Sequence, residues 1–207
     1  MITLIFSIIS FFSGAIPFPV IITRLLSGKD VRDVGDNNPG AVNAWKSGGS
    51  YIGIIVMFVE FLKAILPIAI AIKYFDINGI DLVIVCLMPI IGHSFSPFLR
   101  FKGGKALAVT AAMWLAIFQL EAAAVIFGLL AIFFVIQKND AWTVNIVHFG
   151  FFFYGIITSI SKSYISTNQF IILWIFASAL MIYNHNKELR NPPKFRNFRN
   201  LTGVKFE

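Results

Sequence analysis

Long apolar segments separated by shorter polar stretches make up most of this chain of 207 residues. A helix needs roughly 20 apolar residues to cross about 30 Å of hydrocarbon, and each segment has about that length or more. The pattern therefore predicts membrane-spanning helices rather than the elements of a soluble core. The apolar segments are residues 2–26, 51–74, 79–98, 106–136, 141–160 and 165–183.

The first apolar segment, residues 2–26, is too long for an ordinary signal peptide and has no basic stretch before its apolar part. We therefore expect it to remain in the protein as a permanent span. Gly14, Pro17 and Pro19 should kink this span, because proline removes a backbone donor from a helix.

The run of residues 106–136 is long for one span and short for two, since it would extend about 46 Å as a single helix. Gln119 and Glu121 lie near its centre, where a charge that faces lipid is costly. A turn at these residues would give the chain seven membrane crossings instead of six.

The distribution of basic residues favours the turn, because Lys and Arg concentrate on the cytoplasmic side of membrane proteins. With seven spans, all of the 17 basic residues except Lys63, Lys73 and Lys162 fall on one side, whereas six spans divide them evenly. We predict an all-α polytopic membrane protein with seven transmembrane helices, its N-terminus outside and its C-terminus cytoplasmic. Residues 1–207 should form one domain. The cytoplasmic face then holds three polar segments: residues 27–50, residues 100–105 and the tail from Asn184.

Composition agrees with a membrane protein, since only 13% of the residues are charged, about half the share in soluble domains. A net charge of +7 could indicate nucleic acid, but the basic residues flank apolar segments. We therefore expect contact with membrane lipid and no nucleic acid. The basic tail, with Arg199 and Lys205 among phenylalanines, suits anionic headgroups in the same way. One cysteine, Cys86, excludes a disulfide within the chain and a multi-cysteine metal site.

The segment from Gly92 to Lys105 carries the first candidate chemistry. Gly103 and Gly104 allow positive φ, and their exposed N–H groups could cradle an anion. Lys102 and Lys105 add positive charge, and the helix that follows presents its N-terminus to the same anion. These features indicate phosphate binding. The alternative is a tight turn whose lysines only follow the charge rule for the cytoplasmic side.

Three histidines raise separate questions. His93 lies near a membrane boundary, where its usual pKa near 6.5 suits proton transfer or a hydrogen bond to a developing charge. The alternative is an interfacial histidine that bonds a backbone carbonyl, and His185 poses the same choice. His148 lies inside an apolar segment without nearby charges, so we expect a packing or hydrogen-bonding role.

The polar loop around residues 34–46 combines turn-forming residues with asparagines. Asn38 and Asn43 could bind substrate hydroxyls or order the loop against neighbouring helices. A solvated linker rarely needs so many residues of these types, so we predict a structured loop.

Glu60 and Lys63 are one helical turn apart in the second apolar segment. We interpret them as a pair that neutralises itself inside the bundle. Charge within a membrane is nevertheless an indication of function.

These segments together resemble the bacterial acyl-phosphate:glycerol-3-phosphate acyltransferases, the PlsY family, over nearly the whole chain. The resemblance is strongest from Gly92-His93 through Phe101-Lys102-Gly103-Gly104-Lys105, which resembles the second motif of the family almost residue for residue. The first motif resembles Val34-Gly35 followed by Asn38, Gly40, Ala41 and Asn43, and His185 matches the third.

The chain departs from the family pattern at three positions. Asp36 stands where the family usually has serine, Lys46 where it has arginine, and Glu188 where it has asparagine. Two of these changes add a carboxylate near the expected phosphates. Lys46 keeps the charge but lacks the two-pronged geometry of a guanidinium.

The resemblance implies transfer of a fatty acyl group from acyl phosphate to the 1-hydroxyl of glycerol 3-phosphate, which yields lysophosphatidic acid and phosphate. It also implies a prokaryotic inner membrane, a site that faces the cytoplasm, and direct transfer without a metal or cofactor, because acyl phosphate is already activated. We expect Asp36 to act as general base for the hydroxyl. The implied catalytic residues are Asp36, Lys46, His93, Lys105 and His185. The implied substrate- and phosphate-binding residues are Asn38, Gly40, Asn43, Lys102, Gly103, Gly104 and Glu188.

Two other functions stay open at this point. Asp36 and Glu188 are compatible with a divergent relative that acylates another phosphorylated alcohol. Glu60, Lys63 and the broken first span are compatible with a transporter of a phosphorylated solute. Against transport, the sequence has no inverted repeat, and its polar residues cluster on one face.

Overall fold

The computed structural model describes residues 1–161 and 164–196, and the regular elements of that part are helices. Lys162 lies outside the described residues. So does the end of the basic tail, which includes Arg199 and Lys205. Short 3-10 turns cover Val31–Asp33 and Pro97–Leu99. The α-helices are α1 (Ile2–Ala15), α2 (Phe18–Ser27), α3 (Ala41–Gly48), α4 (Ser50–Phe75), α5 (Gly79–Ser94), α6 (Leu107–Ile136), α7 (Asp140–Ser161), α8 (Thr167–Asn184) and α9 (Asn186–Leu189).

Within the described part, six helical segments are long and apolar enough to cross a membrane. They agree in number and position with the apolar segments of the sequence. These segments are Ile2–Ser27, Ser50–Phe75, Gly79–Leu99, Leu107–Ile136, Asp140–Ile160 and Thr167–Asn184.

The first apolar segment is broken in the middle, as the sequence predicts. Helix α1 ends at Ala15 and α2 begins at Phe18, with Ile16 in extended backbone between them. Pro17 has no N–H to continue the hydrogen-bond ladder of α1. At the break, the Ile16 carbonyl accepts a hydrogen bond from the Phe18 N–H at 3.0 Å and a second one from Lys63 Nζ at 3.2 Å.

Helix α6 also consists of two helical halves. They are separated at Gln119, whose backbone is not helical, with φ 61° and ψ −152°. Leu107 and Phe134, near its two ends, line one and the same cavity. A straight helix of its 30 residues would separate its ends by about 45 Å. The chain therefore reverses at Gln119, within the joint that the sequence predicts, and residues 107–118 and 120–136 lie side by side.

Helices α1 and α5 pack closely through two glycines. A Cβ on Gly14 would collide with the backbone of Pro89, and a Cβ on Gly92 would collide with the carbonyl of Phe11. Small residues allow the backbones of two membrane helices to approach in this way. Ser96 Oγ adds a hydrogen bond of 2.6 Å to the Ala15 carbonyl. These contacts fix the C-terminal end of α5, which carries His93.

The main apolar core extends from α4 and α5 through the first half of α6 to α7 and α8, and its aromatic part lies where α6 meets α7 and α8. Trp114 and Phe118 on α6, Phe151 on α7 and Phe170 on α8 are almost completely buried. The Trp114 ring centroid lies 5.3 Å from that of Phe151 and 5.4 Å from that of Phe170. Gly155 on α7 makes room for the Phe170 ring. This aromatic packing holds the N-terminal end of α6 in place.

We expect Gly92→Ala to lower the free energy of unfolding by about 1–3 kcal/mol, because the new methyl group forces α5 away from α1. Gly128→Ala is the matched control, since Gly128 lies in α6 with no atom near its missing Cβ. It should leave stability unchanged or raise it by up to about 1 kcal/mol. Thermal unfolding in detergent measures both. Equal melting temperatures for the two variants would contradict the close packing of α1 and α5.

Candidate active site

Three polar segments that are distant in the sequence meet at a single lysine. Lys105 Nζ lies 2.5 Å from Asp36 Oδ2 and 2.9 Å from Glu188 Oε1. Asp36 belongs to the loop before α3, Lys105 to the loop between α5 and α6, and Glu188 to α9. The expected convergence of these segments is confirmed. We call these three residues the Lys105 cluster.

The loop that carries Asp36 is structured, as predicted, and Asn43 organises it. The buried Asn43 side chain donates to Asp36 Oδ1 at 2.7 Å and to the Asn38 carbonyl at 3.0 Å. Gly35 has φ +61°, and a Cβ there would collide with the Asn43 amide oxygen. Of the two roles predicted for Asn43, the structure therefore shows the ordering of the loop.

The predicted amide cradle at Gly103 and Gly104 is wrong. The Gly103 N–H donates to the Ser94 carbonyl at 3.1 Å, and the Gly104 N–H donates to the His93 carbonyl at 3.0 Å. Neither glycine has positive φ. In this loop, positive φ occurs at Arg100, Phe101 and Ala106. The two amides cap the open carbonyls at the end of α5, so they are not free for an anion.

Glycine is required at both positions because of close contact with His93. A Cβ on Gly103 would collide with the His93 carbonyl, and a Cβ on Gly104 would collide with the imidazole Nε2. The glycine pair thus presses the loop against the histidine. It brings Lys105 next to the start of α6, where Ala106 and Leu107 line the same cavity as the lysine.

The Lys105 cluster separates two cavities. The inner cavity has a volume of about 560 Å³ and lies toward the helices, and the outer cavity has about 840 Å³. The cluster and Asn38 line both cavities. The predicted residues Gly40, Asn43, Lys46, His93 and His185 line only the inner cavity, whereas Lys102, Gly103 and Gly104 line only the outer one.

A buried ion pair holds His93 at the floor of the inner cavity. Lys63 Nζ lies 2.7 Å from Glu60 Oε1, so the predicted neutralising pair is confirmed. His93 Nδ1 lies 3.1 Å from Glu60 Oε2 and 2.9 Å from Lys63 Nζ. Buried charges need such partners, because desolvation is costly. The His93 imidazole is thus held by the side chains of Glu60 and Lys63, and not by a backbone carbonyl, which was the alternative predicted from the sequence.

The link from Glu60 to His93 is a contact of the candidate site that the sequence did not reveal. The two residues are on different helices, and no spacing rule relates α4 to α5. Glu60 also lines the inner cavity. The one available signal was the presence of charge inside an apolar segment.

His185 is buried at the inner cavity with a defined tautomer. Its Nδ1 lies 2.8 Å from the Met181 carbonyl, which can only accept, so Nδ1 carries a hydrogen. Burial lowers the pKa of His185 below its usual range, and the neighbouring Lys105 lowers it further. The neutral ring then leaves Nε2 as an acceptor for a proton.

The carboxylates of the Lys105 cluster are weak bases. Burial alone would raise the pKa of Asp36, but hydrogen bonds from Lys105 and Asn43 hold it below its usual range. The pKa of Glu188 is lowered in the same way against the effect of burial. Burial would lower the pKa of Lys105, but its two carboxylate partners raise it. All three groups are therefore charged at neutral pH, and the cluster carries a net charge of −1.

The family model for glycerol-3-phosphate acyltransferase matches residues 4–192. A glycerol-3-phosphate acyltransferase of Fusobacterium nucleatum is 41% identical over 110 residues, which are 53% of this chain and 56% of the relative. The chain spans between about half and three fifths of the length of the first curated relatives that it matches.

Two solved structures match almost the whole chain with a TM-score of 0.79. One is the glycerol 3-phosphate form of PlsY, an integral membrane glycerol 3-phosphate acyltransferase, at 27% identity over 99% of this chain and 100% of that one. The other is the lysophosphatidic acid form, at 26% identity over 98% of this chain and 93% of that one. By its sequence and its helical fold, this membrane protein belongs to the glycerol-3-phosphate acyltransferase family.

Proposed function

We propose that this protein transfers a fatty acyl group from an acyl phosphate to the 1-hydroxyl of glycerol 3-phosphate, which forms lysophosphatidic acid and inorganic phosphate. The observation that carries the proposal is the position of Lys105 between the two cavities, where the three motif segments meet. The PlsY structures with glycerol 3-phosphate and lysophosphatidic acid support the same acceptor and product.

The acyl chain of the donor fits next to the inner cavity. A smaller cavity of about 170 Å³, here called the apolar cavity, shares five lining residues with the inner one. An acyl chain in the apolar cavity places its phosphate in the inner cavity beside Lys105. The shared residues are Ala41, Val42, Leu107, Ala108 and Val144.

The outer cavity suits the phosphate of the acceptor, because its wall is rich in cations. Lys102 and Lys187 are exposed there, and arginines lie at its rim. Cationic side chains of this kind bind phosphate through charge-assisted hydrogen bonds. The acceptor then reaches the reacting carbonyl past the Lys105 cluster, which Asn38 and Lys46 flank.

The reaction needs one displacement at the acyl carbonyl. The acceptor oxygen forms a bond to the carbonyl carbon, the bond from that carbon to the phosphate oxygen breaks, and phosphate leaves. His185 Nε2 takes the hydroxyl proton, and Lys105 stabilises the charge on the departing phosphate. We assign the base to His185 and not to Asp36, because Asp36 is held as an ionised partner of Lys105. The acyl phosphate is activated already, so the step requires no cofactor.

Asp36 and Glu188 support a second candidate acceptor. When phosphate binds Lys105, it competes with both carboxylates, which can then accept hydrogen bonds from alcohol groups. An acceptor with further hydroxyls, another phosphorylated alcohol, would use these contacts. Transport of a phosphorylated solute is less well supported, since the polar side chains converge at one end of the bundle.

We further propose that residues 1–207 form one domain with seven membrane crossings, in a prokaryotic inner membrane with the site toward the cytoplasm. The reversal at Gln119 supports the seventh crossing. The placement of basic residues supports the orientation.

The decisive experiment follows phosphate release from palmitoyl phosphate by the purified protein in lipid, with and without glycerol 3-phosphate. Release should depend on the acceptor and yield lysophosphatidic acid. Lys105→Ala should lower kcat/KM by roughly 100- to 1000-fold, because the leaving charge loses its stabilising donor. Lys73→Ala, at the far exposed end of α4, is the matched control. Release without acceptor dependence would indicate a different alcohol, and no release from folded protein would refute the proposal.

We expect kcat/KM to fall as the pH drops through the pKa of His185, which lies below its usual range, and to be level above it. His185→Asn keeps a donor for the Met181 carbonyl but has no base at Nε2. It should lower kcat by about 10²- to 10⁴-fold. Substrate phosphates also titrate near pH 6, so the measurement compares the acid limbs of the variant and the wild type. The assignment to His185 is wrong if Asp36→Asn lowers kcat and removes the acid limb of the pH profile while His185→Asn does neither.

Glu60→Gln should lower the free energy of unfolding by about 3–5 kcal/mol, because Lys63 is left buried without its counter-charge. The double variant Glu60→Gln and Lys63→Met removes both charges and should recover most of that loss. Its kcat should stay low, since His93 no longer has the partners that orient it. Full activity in the stable double variant would show that the pair serves folding only.

A further inference from the structure

Three of the residues that line the apolar cavity each carry a buried polar atom without a hydrogen-bond partner. Thr110 Oγ1, Trp114 Nε1 and His148 Nε2 are buried without a hydrogen-bond partner. Each of the three residues is at most 6% exposed. Among the described buried side chains with such an atom, only these three line the apolar cavity. A buried polar group without a partner costs free energy that a suitable ligand would recover.

The three residues lie close together in the wall of the apolar cavity. Thr110 and Trp114 are four residues apart on α6, so their side chains are neighbours on one face of that helix. The Trp114 and His148 ring centroids are 6.2 Å apart. Trp174 fixes the imidazole of His148, because the two rings stack with an interplanar angle of 5°. The polar group is thus built from rigid side chains.

The rest of the wall is apolar, and it is continuous with the inner cavity. Leu107 lines both cavities, and Trp114 lies about 10 Å further along α6 at 1.5 Å per residue. A ligand that reaches the polar group from Lys105 must therefore be a chain. The volume of about 170 Å³ is similar to that of apolar cavities that bind benzene, so it holds a short stretch of such a chain.

We propose that the apolar cavity selects an acyl chain with a hydroxyl group in its middle part, a hydroxyacyl donor. A hydroxyl both accepts and donates, so it can accept from Trp114 Nε1–H and donate to His148 Nε2 or Thr110 Oγ1. An unsubstituted chain leaves all three atoms unpartnered. This inference rests on the proposed function, since it assigns the chain of the donor in that reaction.

The test compares palmitoyl phosphate with a set of hydroxypalmitoyl phosphates that differ only in the position of the hydroxyl. One position, or two adjacent ones, should raise kcat/KM about tenfold over palmitoyl phosphate, which corresponds to one well-formed hydrogen bond. Donors with the hydroxyl at any other position should have a lower kcat/KM than palmitoyl phosphate, because that hydroxyl gives up its hydrogen bonds to water and gains no new partner. A flat profile over all positions would overturn the inference.

Two variants assign the preference to these residues. Thr110→Val removes a polar atom with little change of shape, whereas Trp114→Phe removes the indole N–H together with one ring of a buried side chain. Each should lower the ratio of hydroxyacyl to acyl kcat/KM at the favoured position. Thr23→Val is the matched control, since Thr23 Oγ1 is also buried without a partner but lies on α2 outside the cavity. The control should keep the wild-type ratio. An unchanged ratio in both cavity variants would overturn the inference.

A binding measurement separates this inference from the proposed function. The purified protein is mixed with equal amounts of palmitate and one hydroxypalmitate, with each hydroxyl position tested in turn, and native mass spectrometry measures the ratio of hydroxypalmitate to palmitate retained. At one position, or two adjacent ones, we expect a ratio of about ten, which should approach one in Thr110→Val. If neither donor supports transfer but the ratio holds, the proposed function fails and the site stands. If transfer proceeds and the ratio is one, water alone satisfies the three atoms and the inference is wrong.

Discussion

The ammonium group of Lys105 makes the contacts on which the geometry of the site depends. It joins the loop before α3 to α9 through carboxylates that are 69 and 83 residues away in the sequence. Exposed ion pairs contribute little to stability, but this lysine is half-buried and bonded on two sides. Its carboxylate partners and the capped end of α5, which holds the loop before Lys105, set its position, and Asn43 sets the position of Asp36. The two cavities therefore meet at a defined point.

A second layer of charge lies beneath this cluster. Glu60 and Lys63 are buried and paired, and both lie within hydrogen-bond distance of His93 Nδ1, which can donate to the carboxylate or accept from the ammonium. Replacing such a pair with apolar residues often stabilises a protein, so stability alone does not explain it. Its position suggests that it keeps the imidazole in one orientation. The break between α1 and α2 contributes directly, since the Ile16 carbonyl at the break accepts from Lys63 as well as from the Phe18 N–H.

The sequence predicts the course of the chain well, because hydropathy and charge placement act locally. Polar residues in the middle of a long apolar run indicated where a turn could lie, and the distribution of basic residues favoured a turn there; the structure has non-helical backbone at Gln119. It predicts less about the contacts between segments. The glycines at 103 and 104 suggested free amides, but whether an amide is free depends on which carbonyls approach it, and α5 supplies them. The contact from Glu60 to His93 depends on how α4 packs on α5, which no spacing rule encodes.

Reversal at Gln119 also determines how hydrophobic molecules reach the site. Residues 120–136 form the outer arm of a hairpin, and Phe127 on this arm and Met57 on α4 both line the apolar cavity while about half of each is exposed on the apolar surface of the bundle. The cavity is thus open sideways, between two helices, as well as toward the polar end. Under the proposed function, donor and product exchange with the bilayer through this lateral opening and need not dissolve in water. The rate of exchange would then follow the fluidity of the lipid and the motion of a single helical arm.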